Sequence, residues 1–182
     1  MYEIIYADFP VPYTSFGTAK LPYQQMTAEE ICEFDWGRWM AKHCIAFVWA
    51  TCPKLDVIMR AGEEWRRRWG LHFQGVPFIW VKTTKDGAAI GASGPRPRLV
   101  KPLDELVLAF STTPNRRTFP LQSESIRQHQ FAPKSRTHSR KPAIIRDKIV
   151  ELLGDRPRIE LFARERVPGW NGWGDEYPED SG

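Results

Sequence analysis

The chain of 182 residues has only three cysteines, Cys32, Cys44 and Cys52, and they stand far apart. They form neither a zinc-ligand spacing nor a redox pair. A metal- or disulfide-stapled scaffold is therefore excluded, and buried free thiols are expected. Long apolar runs are missing as well. The longest, "CIAFVWA" at 44–50, falls far short of the ~20 residues that a membrane-spanning helix needs. The first residues hold no basic region followed by an apolar stretch, so no secretory signal is read and a cytoplasmic location is expected. No internal repeat and no second domain is visible, and residues 1–182 are expected to form a single domain. Acidic residues are nearly absent from one region. Between Thr112 and Pro142 there are seven basic residues (Arg116, Arg117, Arg127, Lys134, Arg136, Arg140 and Lys141) and one acid, Glu124.

What is present begins with bulk. With 42% apolar residues, a chain of this length buries roughly two-thirds of its unfolded surface. The net charge of +4 is modest, but its distribution is uneven. The basic segment, about 112–140, reads as a long loop, either solvated or facing a polyanion. An acidic tail over 174–182 balances it.

Strands and helices alternate along the chain. Residues 3–7 read as a strand that stops at Ala7-Asp8, before a Phe-Pro-Val-Pro stretch that cannot continue a ladder. "MTAEEICEF" opens a short helix with a capping box, Thr27 and Glu30. "CIAFVWAT" (44–51) is a continuous apolar run suited to a strand buried on both faces. Residues 53–70 carry Leu55, Ile58, Gly62, Trp65 and Trp69 at helical spacing, with Pro53 at the start and Gly70 at the stop. "FQGVPFIWVK" (73–82) is a strand in which Pro77 marks a bulge or an edge. Residues 83–102, with their Gly and Pro, are a loop, and 104–111 are a strand. A helix over 141–154 and a last strand over 158–164 follow, and "ERVPGWNGWGDE" is a Gly/Trp-rich loop after them. This order implies an α/β sheet with helices on both faces. Ligands in such sheets bind beyond the carboxyl ends of the strands. That singles out the loops after the first and last strands and the Gly/Pro loop near 83–102. Asp8 lies at the first of these places, where a turn cap is the bland alternative.

Five pieces now line up in order: "YADFPV", "LPYQQMTAEEI", "FVWAT", "FIWVKT", and "HSRKP" followed by "ELFARERVPGWNGWGDE". In this series the chain resembles the N6-adenine methyltransferase family that includes the messenger-RNA adenosine methyltransferase catalytic subunit and many phage and bacterial DNA adenine methyltransferases. The resemblance implies a Rossmann-like, S-adenosylmethionine-dependent methyltransferase fold. The sheet would be mostly parallel and the motif order permuted, with the catalytic turn first and the cofactor loop last. It implies a catalytic turn of Asp8, Phe9, Pro10 and Val11, with the Asp8 carboxylate and the Phe9 carbonyl accepting hydrogen bonds from the target amine. It places Asp8, Lys141, Phe162, Arg164, Asp175 and Glu176 around the cofactor and Asp104 near the active site; Tyr13 is expected toward the substrate base, and Arg116, Arg117, Arg136 and His138 of the basic segment are expected to contact phosphates. Trp49, Trp65, Trp69 and Trp80 are expected in the core, with Trp170 and Trp173 packing over the cofactor. No metal site is expected.

The turn departs from the family at two places. Phe9 stands where the family has Pro, and Val11 where it has an aromatic that stacks on the base; Phe9 or Tyr13 is the expected substitute. The implied activity is methylation of the N6 amine of adenine in DNA. Its alternatives are the same chemistry on RNA, or a catalytically impaired homologue that binds nucleic acid or a partner subunit in a homo- or heterodimer.

Overall fold

The computed structural model describes residues 1–12, 24–88, 90, 103–114, 120–135 and 140–178. Among the described residues seven strands form one sheet: β1 (Tyr2–Ala7), β2 (Met40–Thr51), β3 (His72–Thr83), β4 (Glu105–Ser111), β5 (His129–Pro133), β6 (Arg158–Leu161) and β7 (Asn171–Trp173). Their order across the sheet is β5-β3-β4-β2-β1-β6-β7. Pairing is antiparallel only on the two sides of β4, and the other four pairs are parallel. This is the mixed, mostly parallel Rossmann-like architecture that the family resemblance implies, built on the α/β order that the strand-helix alternation predicts.

Strand side chains alternate between two faces, and each face carries its own core. On one face, the small residues Ala7, Cys44, Ala46, Val48 and Ala50 leave depth that Trp36 and Trp65 fill. Helices α1 (Ala28–Cys32) and α2 (Leu55–Trp69) lie there. The capping box that starts α1 is present: the Glu30 N–H donates to Thr27 Oγ1 at 3.2 Å, and the Thr27 N–H donates to Glu30 Oε2 at 2.7 Å. Within α2, Gly62 permits a close approach to the sheet, because a Cβ there would lie 2.5 Å from Cε1 of Phe110. The opposite face buries Ile4, Tyr6, Phe47, Trp49, Phe78 and Trp80 under Ile145, Ile149 and Leu153 of helix α3 (Ala143–Leu153). Helices thus cover both faces, as expected. Among the described residues, no helix is long and apolar enough to cross a membrane.

The structure corrects several expectations from the sequence. The basic segment is not loop throughout, since β5 crosses it at the sheet edge, parallel to β3. Its inward positions are only Gln130 and Ala132, so the strand shows almost no hydrophobic alternation. The last predicted strand breaks at Leu161, because Phe162 takes a φ of 59° and turns the chain away. The Gly/Trp-rich loop contains β7. Pro77 marks a bulge, since the β3–β4 register shifts between Phe73 and Phe78, and it precedes the pairing with β5, which begins at Ile79. Cys32 and Cys44 are buried free thiols, but Cys52 is exposed. Trp170 is buried against Tyr6, with ring centroids 5.9 Å apart, in the core under α3.

Candidate active site

Parallel pairing sets the site. Ala7, the last residue of β1, is the register partner of Val48 on one side and Leu161 on the other. The chain therefore leaves β1 and β6 side by side at one end of the sheet. Asp8 and Phe162 follow these two strands and line a common cleft, open to solvent, with Pro10, Gln24, Arg164, Asp175 and Glu176. Glu105 reaches the same sheet end because β4 runs antiparallel and starts there, opposite Thr51 and Trp80.

The turn after β1 is held from within. Phe9 is 4% exposed, and its ring packs against Phe162 at 4.9 Å, Phe34 at 5.1 Å, Trp65 at 5.5 Å and Trp36 at 5.9 Å. It is thus an anchor and not a platform for a base, contrary to one of the substitutes expected above. The Phe9 carbonyl accepts from the Val11 N–H at 2.8 Å, which closes a three-residue turn around Pro10. The carbonyl has a second lone pair for a further donor. The Pro10 carbonyl accepts from the Met26 N–H at 2.9 Å, tying the turn to the segment before α1. Val11 packs partly buried against the same core.

On the α3 face, opposite charges alternate in a row. Lys141 Nζ lies 3.0 Å from Asp8 Oδ2 and 3.0 Å from Glu105 Oε2, and Lys82 Nζ lies 2.6 Å from Glu105 Oε1. Lys141 Nζ also stands 5.1 Å over the Trp49 ring. Burial pushes the Asp8 carboxyl above its ordinary range; Lys141 works against that shift and Glu105 adds to it. Burial also acts to raise Glu105, but Lys141 and Lys82 together hold it below the ordinary value. For Lys141, burial favours the neutral form, yet Asp8 and Glu105 outweigh it and keep the ammonium protonated. Across the cleft, Arg164 Nε pairs with Glu176 Oε2 at 2.9 Å.

Asp8, Pro10, Phe162, Arg164, Asp175 and Glu176 therefore meet in one place, with Lys141 bound to Asp8. Asp104 does not join the charged row; its backbone carbonyl accepts from Cys52 Sγ at 3.6 Å. The acid in the row is Glu105, the next residue, which sequence reasoning missed. Strand parity holds the missing signal, because Glu105 shares a face with Val107 and Ala109, and that face is the one under α3. Lys82 was missed for the same reason. Gln24 lines the cleft from an irregular segment and carries no comparable signal. Tyr13, Arg116, Arg117, Arg136 and His138 lie outside the described residues. Trp173 packs against Phe162 at 5.7 Å, beside the cleft. Gly174 is required beneath it, since a Cβ there would lie 2.8 Å from the Phe162 Cα.

Comparison with known proteins gives two kinds of likeness. The sequence model of the MT-A70 family matches residues 2–176. The type II methyltransferase M.MunI of a Mycoplasma species is 26% identical over 200 residues, covering 98% of this chain and 79% of that protein. The N6-methyladenosine RNA methyltransferase MTA1 of Pyricularia oryzae is 28% identical over 183 residues, covering 96% of this chain. The chain spans 46% of the length of that second relative.

Proposed function

The chain belongs to the MT-A70 methyltransferase family, and on that premise we propose that it methylates the N6 amine of adenine in DNA, with S-adenosylmethionine as methyl donor. The observation that carries the reading is the placement of Asp8 beside Phe162 and Arg164 in one cleft. The likeness that runs through most of both chains is to the type II methyltransferase, and the choice of DNA rests on it. The basic segment between Thr112 and Pro142 supplies charge for a phosphate backbone.

The cleft's donor and acceptor set fits the cofactor. Asp175 and Glu176 offer acceptors for amino and hydroxyl groups, and Arg164 offers donors. Lys141 directs two ion pairs at Asp8 and Glu105; its ammonium has three N–H groups, and the third suits a cofactor carboxylate. When bound, the cofactor supplies an electrophilic methyl group.

The chain's own task is to make a poor nucleophile attack. The exocyclic amine of adenine shares its lone pair with the ring. Acceptors aimed at its N–H groups favour the pyramidal nitrogen that bonds to the methyl carbon. Asp8 is such an acceptor, fixed at the end of a strand, and the free lone pair of the Phe9 carbonyl is the second. Pro10 locks the turn that aims both. Positioning and preset dipoles supply most of the rate in this scheme. The proton lost from the amine passes toward Asp8, whose raised affinity for protons suits it to accept a share of that proton before water does. A base within a duplex must first be flipped out, or the substrate must be single-stranded.

One observation favours a second reading, a homologue with impaired catalysis. The Phe9 ring is buried and Val11 packs on the core, so neither stacks on a base. Incubation with labelled cofactor and DNA or RNA oligomers, followed by digestion to nucleosides, decides between the readings. N6-methyladenine from DNA that disappears with Asp8→Ala supports the proposal. Label found on cytosine, or no product with any oligomer, sinks it, and label confined to RNA corrects the substrate.

A further inference from the structure

Behind the cleft, a second charged network joins elements that the chemistry does not use. Arg146 of α3 is 7% exposed. Its Nη1 donates to Glu160 Oε2 at 2.7 Å and its Nη2 to Glu165 Oε1 at 2.8 Å. The remaining oxygen of Glu165 accepts from Arg140 Nη2. Glu160 sits on β6 as the register partner of Tyr6, two residues before the turn at Phe162. Glu165 is the neighbour of Arg164, and Arg140 is the neighbour of Lys141. A single planar guanidinium thus links α3, the end of β6 and, through Glu165, the residues beside both cations of the site.

Buried charge of this kind needs a reason. Ion pairs in low dielectric rarely stabilise a fold more than apolar packing of the same volume, so retaining one points to a geometric role. The Arg146 hydrogen bond holds Glu165 below the ordinary carboxylate range. Glu160 goes the other way, because burial outweighs the pull of Arg146. Arg146 is held at both ends, by Glu160 on β6 first and by Glu165 beside Arg164 second. A fork spanning two carboxylates is also something that lysine cannot reproduce.

We propose that Arg146 is a positioning residue for cofactor binding: by holding Glu165, the chain neighbour of Arg164, it sets where Arg164 stands in the cleft. This rests on the reading of the cleft given above. Arg146 touches neither reactant, and its effect falls on cofactor affinity while the turn at Asp8 is left as it is.

Calorimetry of the full chain with S-adenosylhomocysteine tests the proposal, using Arg146→Lys and Glu165→Gln. Each variant is expected to bind about tenfold more weakly. With cofactor saturating, kcat and the KM for a DNA oligomer should stay within about twofold of wild type. The double variant should bind no worse than the weaker single one, because both remove the same link. A purely structural role would lower the melting temperature and leave the Kd of the folded protein unchanged. Unchanged Kd values, or losses that add in the double variant, overturn the proposal. If Arg146→Lys does not fold, Glu165→Gln alone decides, as that side chain is partly exposed. Wild-type protein that fails to bind would overturn the cofactor reading and this inference with it. Wild-type binding with unaffected variants overturns this inference alone.

Discussion

At the scale of single residues, Asp8 is poised by neighbours of both signs. Its carboxylate must be ionised to take up a share of the amine's proton, and burial has raised its affinity for protons. Activity should therefore fall on acidification at a higher pH than an ordinary aspartate would give. Glu105 contributes to that rise, so Glu105→Gln is expected to move the acid limb of the kcat/KM profile to lower pH. An unmoved limb would assign the titration to another group. Asp8→Ala should reduce kcat by a factor on the order of 10²–10³, with cofactor affinity from calorimetry changed much less. The place of Asp8 was legible, because the first strand stops there before prolines; a turn cap was the other use of a carboxylate at that position. Glu105 was not, since choosing between adjacent acids needs the face of the strand, and "LDE" does not show which acid opens the ladder. The inward turn of Phe9 was equally hidden. It depends on Phe34, Trp36, Trp65 and Phe162, brought together from distant parts of the chain.

At the scale of elements, the anchored turn makes a stability prediction. Phe9→Ala empties the centre of an aromatic cluster and should cost about 3–5 kcal/mol, read as a lower urea midpoint with an unchanged slope. Gly174→Ala forces a Cβ against the backbone of Phe162 and Ala163. It should push β7 off the end of β6, weakening cofactor binding more than it lowers stability. The reverse ranking would show that β7 serves the core and not the cleft. The long elements were readable because apolar spacing is strong in them: α2, β2, α3 and the capping box of α1. β5 and β7 were not. With five and three residues, they are held mainly by ladder hydrogen bonds to strands already in place, which leave little pattern in side chains.

At the scale of the molecule, the two cores on opposite sheet faces follow from alternation. The insertion of β4 between β2 and β3 does not, because strand order comes from pairing across long sequence distances. Charge distribution supports one prediction here. Binding to a DNA oligomer should weaken linearly as log Kd against log salt, with a slope set by the number of phosphates neutralised. A flat response would remove the basic segment from the interface. Neighbouring strands can also be far apart along the chain, as Ala7 and Leu161 are. A polypeptide emerging from the ribosome shows Asp8 long before Arg164. The cleft between them takes shape only as synthesis of this stretch closes, so a nascent chain stalled short of β6 would retain much of the sheet and have no place to hold a methyl donor.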